Sequence, residues 1–275
     1  ETKELFTPEE DGDSGVSTKP FPWAYVLYPS LVADAGTAER YPALAEGFGY
    51  LNDEWYERAL RTLAEETALM EEWTADGAGF VLYSNEQEWM PKIMRADDRV
   101  VSMIVVEQSD YNSVHPCTGY TSQTFDVQSG ERIPLSDCID GVDNMKALPQ
   151  YILEHLESIN ENYVFSEEEN AGMLPIIEQM TADGELVWAL SDRGLEICFD
   201  AYDLQYYAFG PIFATLTYEE FPELLLEKYR PDEAAEATFA ERVLYDDKGE
   251  TAVWTAEDIS VYYVPWEEES KEAEG

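Results

Sequence analysis

Residues 99–108 read Arg-Val-Val-Ser-Met-Ile-Val-Val-Glu-Gln, with Ser102 as the one polar break between Val100 and Val106. A strand with one wet face alternates apolar and polar residues. A nearly continuous apolar run belongs to a strand covered on both faces. This stretch therefore calls for a layer on each side of it. One candidate layer lies upstream. Leu44, Phe48, Leu51, Trp55 and Ala59 follow steps of four, three, four and four, which is one face of an amphipathic helix. The pattern predicts a helix from Tyr41 to about Trp73, ended by Asp76-Gly77. Glu57, Arg58, Arg61, Glu65 and Glu72 form its solvated face.

Strands are expected on both sides of these two elements. Phe21 to Val32 is rich in aromatic and β-branched residues and is broken at Pro29; Gly79 to Tyr83 is a second strand. Tyr120 to Val127 alternates, turns at Gln128-Ser129-Gly130-Glu131 and returns over Arg132 to Leu135. Pro149 is expected in the first turn of a helix running to about Asn160, with Ile152, Leu156 and Ile159 as its buried stripe. Met173 to Met180 reads as a short helix. Leu186–Leu190 and Leu195–Phe199 flank Ser191-Asp192-Arg193-Gly194, a hairpin signal. Ile212 to Leu216 is a further strand, and Thr217 with Glu220 offers a capping box. Pro231 to Glu236 reads as an acidic linker or surface helix. Beyond it come a hairpin over Val243–Trp254 and a strand over Ile259–Val264.

Charge limits the function more than the pattern does. The chain of 275 residues carries 16 Lys and Arg against 59 Asp and Glu, a formal net charge of −43. Nucleic acid is excluded as a partner, since phosphates need a basic surface. Attraction to an anionic membrane is excluded on the same ground. Such a field serves solubility and would also draw in a cationic protein. No apolar run approaches the length of a membrane span. Residues 1–20 read as a polar, flexible leader with no signal peptide. That suits a mature chain whose export signal or membrane tether lies upstream.

Little in the sequence supports catalysis. Only two histidines occur, His115 and His155. There is no HExxH, GxSxG, Walker A or GxGxxG pattern, and no metal or cofactor is expected. His115 and Cys117 are two apart, so an extended backbone would place them on one face as a nucleophile and base. A turn residue beside a structural thiol reads equally from the same spacing. His155 shares a helical face with Ile152 and Ile159, at the edge of the core. Asp11-Gly12-Asp13-Ser14-Gly15 starts like a calcium loop but lacks its later ligands. Carboxylates are too numerous for pairing to mean anything. The cysteines are Cys117, Cys138 and Cys198. They allow one disulfide, Cys117 with Cys138, or three thiols. One cluster stands out between two strands: Tyr202, Tyr206, Tyr207 and Phe209. These rings either pack back as core or stand out as anchors of a recognition loop.

The serial order of segments resembles a known bacterial envelope module. Tyr41-Pro42-Ala43-Leu44 and Leu51-Asn52 open the long helix, and a buried strand leads to His115-Pro116. Phe125-Asp126-Val127-Gln128-Ser129-Gly130-Glu131-Arg132-Ile133-Pro134-Leu135 follows, then Tyr151-Ile152, Gly194-Leu195, the 202–210 loop and Leu216-Thr217-Tyr218. The module pairs two domains of unknown function, numbers 4163 and 3298. It forms the extracellular part of RsiV-type anti-sigma factors, which sense lysozyme, and is appended to PdaC-type peptidoglycan deacetylases. The likeness covers roughly residues 21–227. Where the family often carries a Gly-Gly or Gly-Ala pair before His-Pro, Asn112-Ser113-Val114 stands here.

The resemblance implies an α+β fold: antiparallel sheets, each covered by a helix, in two packed subdomains plus a C-terminal β appendage. The expected divisions are a leader over 1–20, subdomains over 21–118 and 119–227, and a linker with its appendage over 228–275. It implies a non-enzymatic binding or sensing module outside the cell, tethered to the envelope. The partner would be a cationic protein such as lysozyme, or a cell-wall component. Tyr202, Tyr206, Tyr207, Phe209 and His115 are its candidate binding residues. The alternatives are a glycan hydrolase working through carboxylates and a structural scaffold.

Overall fold

The computed structural model describes residues 23–75, 84–110, 116–159, 167–231, 240–246, 249–255 and 260–263. The expected break at Pro29 separates β1 (Trp23–Leu27) from β2 (Leu31–Ala33). Asp34 then caps α1 (Ala35–Arg40), its side chain accepting the Thr37 N–H at 2.8 Å. The long helix follows as α2 (Pro42–Ala75), with proline in the first turn, where its missing N–H is harmless. Leu44, Phe48, Leu51, Trp55 and Ala59 are all buried. Each of the large ones contributes about 1.5–3 kcal/mol by leaving water.

Three strands join β1 in the first sheet: β3 (Ser84–Ala96), β4 (Val100–Asp110) and β5 (Cys117–Asp126). The order is β1-β3-β4-β5; β1 runs parallel to β3 and the other pairs are antiparallel. The apolar run in β4 is covered on both sides, as its composition requires. Val101, Met103 and Val105 pack with the buried stripe of α2. On the other face Ile104 packs with Ala189 and Cys198. The strand expected over 79–83 lies outside the described residues.

Past β5, Asp126 Oδ1 accepts the N–H groups of Gln128 and Ser129, and Gly130 completes the turn with φ of 70°. Arg132 makes only a single bridge back to Phe125. The second half comprises α3 (Leu135–Cys138), α4 (Gly141–Ser158), α5 (Glu167–Asp183), β6 (Val187–Leu190), β7 (Gly194–Phe199) and β8 (Ile212–Thr217). The last three form an antiparallel sheet, β6-β7-β8. Leu190, Leu195, Ile197, Phe199, Ile212, Ala214 and Leu216 share a core with Ile152, Leu156, Met173 and Ile177 of α4 and α5. The layers are therefore α2, first sheet, second sheet, and the α4–α5 pair.

Several expectations are corrected. Pro149 does not start its helix, because α4 begins eight residues earlier and holds Pro149 in its interior. The lost backbone bond is tolerated there because the ring itself is buried. Thr217 and Glu220 make the bonds of a cap, Glu220 N–H to Thr217 Oγ1 at 3.1 Å and Thr217 Oγ1 to Glu220 Oε2 at 2.9 Å, but they close a turn and no helix follows. Pro222 follows directly and stops propagation. The boundary expected at 118–119 falls inside β5, which belongs to the first sheet through ten paired residues of β4.

The C-terminal hairpin forms as β9 (Ala240–Asp246) and β10 (Gly249–Thr255), followed by β11 (Ser260–Tyr263). This β appendage is joined to the first half: β11 pairs with β2, giving a sheet ordered β2-β11-β10-β9. No helix among the described residues is long and apolar enough to cross a membrane.

Candidate functional site

The connection from β7 to β8 carries the candidate loop, residues 200–211. One backbone–carboxylate and one backbone–backbone hydrogen bond fold its start. The Asp200 N–H donates to Asp203 Oδ2 at 2.7 Å, and the Asp203 N–H donates to the Asp200 carbonyl at 3.1 Å. Between them Tyr202 adopts φ of 84°, and it is the one residue other than glycine with positive φ among those described. That region is unfavourable for a bulky side chain and costs on the order of 1–3 kcal/mol. A short 3₁₀ turn over Tyr207–Phe209 and Gly210, with φ of 69°, close the loop.

The rings do not fold back as core. Tyr202 is 71% exposed, Tyr206 72% and Phe209 38%. Leu204 alone anchors the loop by burial. The Tyr202 and Tyr207 rings lie 5.5 Å apart at 32°, and the Tyr207 hydroxyl donates to the Pro116 carbonyl at 3.2 Å. Two more aromatics lie on the neighbouring strands. Phe213 of β8 is 45% exposed and meets Tyr120 of β5 edge-on, with centroids 5.8 Å apart. Surface tyrosines of this kind supply large contact area at low entropic cost.

Asp200 opens the loop, against β5. Burial, then the neighbouring Asp203 carboxylate, push its carboxyl up to about 6, while a backbone hydrogen bond from Tyr120 opposes the rise. Its Oδ1 is buried without a hydrogen-bond partner. A Cβ at position 119 would stand 3.3 Å from Asp200 Oδ2, so Gly119 lets β5 approach this carboxylate. Sequence reading missed Asp200, Tyr120 and Phe213. The Asp-x-x-Asp spacing at 200–203 was the available signal.

Asp200 is strained toward its protonated form, which makes a measurable prediction. Its folded pKa lies above the unfolded value of 3.8. The native state therefore binds this proton more tightly, and the group costs stability as pH rises from about 4 to above 6. Asp200→Asn should stabilise the chain at pH 7 by about 1 kcal/mol, a figure reduced for the side chain's partial exposure. The gain should vanish at pH 4. Urea unfolding of both proteins at the two pH values checks it.

The other candidates fall elsewhere. His115 lies outside the described residues, as does the 11–15 segment. All three cysteines are free: Cys117 is exposed, while Cys138 and Cys198 are buried. The Cys117–Cys138 disulfide is therefore not formed, since Cys138 is enclosed in the second core. Burial pushes the Cys138 thiol up to about 12 and the Cys198 thiol up as well, so neither is a ready nucleophile. His155 accepts the Thr215 N–H at Nε2, 3.3 Å, and so satisfies the outer edge of β8. Among the described residues no three His, Cys, Asp or Glu side chains gather as a metal-binding group.

No protein-family model matches the chain, and no curated protein matches it either. Solved structures do. One is a member of the DUF3298 family from Bacteroides fragilis, with 16% identity and a TM-score of 0.52; the match covers 83% of this chain and 94% of that one. Another is a DUF3298 family protein from Pseudomonas aeruginosa, with 13% identity and a TM-score of 0.46, covering 84% of this chain and 97% of that one. The α+β architecture of this chain is thus similar to the fold of a solved DUF3298 protein.

Proposed function

We propose that this chain is a non-enzymatic binding or sensing module of the bacterial envelope, and that the 200–211 loop is its binding surface. The observation that carries the reading is the exposure of Tyr202 and Tyr206 on a loop whose backbone is held in a costly conformation. Strain of this kind persists where the surrounding structure enforces it, and it clusters at functional sites. Pairing with the domain numbered 4163, an extracellular location and a tether to the envelope belong to the same proposal and rest on the resemblance. The partner is a cationic protein such as lysozyme, or a cell-wall component. A net charge of −43 favours the first through long-range attraction.

Binding to lysozyme should be measurable near 20 mM salt and should weaken severalfold near 150 mM, where the screening length is about 8 Å. Isolated peptidoglycan sacculi serve as the second probe. Failure to retain either at low salt would sink the reading.

Asp200 favours a second reading, a carboxylate-dependent glycan hydrolase. A carboxyl whose pKa is raised to about 6 by burial and by a neighbouring carboxylate is the kind of group a general acid uses. Asp200→Asn separates the two. A hydrolase would lose product formation from peptidoglycan fragments, whereas a binding module yields no product before or after the change.

A further inference from the structure

We propose that Arg95, Arg99, Arg230 and Tyr218 form a site for a small oxyanion, a carboxylate or phosphate group, where β3 meets the 218–230 segment. Arg95 is fully buried. Its Nε donates to Asp97 Oδ2 at 2.5 Å, and its Nη1 to the Tyr229 carbonyl at 2.6 Å and the Tyr218 hydroxyl at 3.2 Å. Its third nitrogen, Nη2, is buried and has no partner. Arg230 Nε is also buried without a hydrogen bond; the Glu227 carboxylate stands at 3.7 Å, beyond hydrogen-bond reach.

Both arginines meet Tyr218. Arg95 bonds the Tyr218 hydroxyl, and the Arg230 guanidinium lies 6.0 Å from the Tyr218 ring centroid. Arg99 closes the group, its Nη1 donating to the carbonyls of Glu227 at 3.2 Å and Arg230 at 2.5 Å. Lys228 stands beside them, 4.2 Å from the Tyr229 ring centroid. Four of the chain's 16 basic residues thus meet at one place. Asp97 pairs with Arg95, and Glu227 stands beside Arg230.

A purely structural role does not account for the two buried, unpaired donors. Holding β3 to the 218–230 segment uses Nη1 of Arg95, and Nε is taken by Asp97, which leaves Nη2 idle. Guanidinium N–H groups that are buried and unpaired are costly, and the natural acceptor for two of them is an oxyanion. Arg230 is 23% exposed at its side chain, so the anion enters over it.

The test uses the full chain at matched ionic strength in sodium chloride, acetate or phosphate. Acetate probes the carboxylate source and phosphate the other. Thermal midpoints of the wild type should rise with the logarithm of acetate or phosphate concentration beyond the chloride control, as ligand linkage requires. Arg230→Gln should abolish at least half of that excess, and phosphate affinity by calorimetry should fall about tenfold or more. Arg99→Gln supplies the same comparison should Arg230→Gln fold poorly. Equal rises in wild type and both variants would show general salting, and no rise beyond chloride would mean that the orphan donors hold only water. Either result overturns the site.

Discussion

Arg95→Ala should cost about 3–5 kcal/mol of folding stability, seen as a lower urea midpoint at unchanged slope. A domain holds about 5–15 kcal/mol in total, so the variant should be partly unfolded near 37 °C. The loss has three parts. The change opens a cavity at a fully buried position. It leaves Asp97 without its guanidinium partner, although the N–H groups of Arg99 and Val100 still cap Asp97 Oδ1 at 2.9 Å each. It also strands the Tyr229 carbonyl, whose tie to β3 runs through Arg95 Nη1 at 2.6 Å. Arg95→Met fills most of the volume and should lose less, because packing replaces part of what the charge provided. Equal losses for the two variants would mean that the cavity contributes little.

Gly130→Ala should lower the thermal midpoint by roughly 6–12 °C, the equivalent of about 3 kcal/mol in a chain of this size. Gly130 has φ of 70°, and a Cβ there would lie 2.0 Å from the Ala43 carbonyl oxygen and 2.9 Å from Leu44 N. Both contacts are backbone, so no side chain can swing away. Gly47 meets the same turn from the helix side: its Cβ would stand 2.3 Å from the Gly130 carbonyl oxygen. The first turns of α2 and the 126–130 turn therefore touch backbone to backbone, which only two glycines allow. Gly184→Ala is the control. It shares a positive φ, 73°, but a Cβ there meets nothing within 4 Å. It should cost about 1–2 kcal/mol, the price of the left-handed conformation alone. A Gly130→Ala loss no larger than this would remove the close contact from the account of the fold.

The fold was legible where burial and hydropathy coincide. The α2 stripe is apolar at every inward position, and β4 is apolar on both faces because a layer covers each. β3 was invisible for the opposite reason. Its buried positions alternate properly, but they read Gln87, Trp89, Pro91, Ile93 and Arg95. Three of those five inward residues are polar or proline, so the period is present in burial and absent in hydropathy. Pro91 is tolerated because it lies beyond Glu88, the last residue of β3 paired with β1. α4 was shortened at its start because Gly141 to Ala147 has no buried residue to mark a stripe. The aromatic loop was visible as a cluster, but its exposure was not. That depended on Leu204 being its single buried anchor, and on the hydrogen bond from the Asp200 N–H to the Asp203 carboxylate that folds the start of the loop.

Loop exposure is the point on which the functional reading turns, and one comparison addresses it. Lysozyme affinity at low salt should be measured for the wild type and for a Tyr202→Ala, Tyr206→Ala double variant, with thermal midpoints taken alongside. Both side chains are more than two-thirds exposed, so the variant should fold normally. Losing two aromatic anchors should weaken binding about tenfold or more, a cost of at least about 1.4 kcal/mol. A folded variant that binds as tightly as the wild type would show that the loop is not the binding surface.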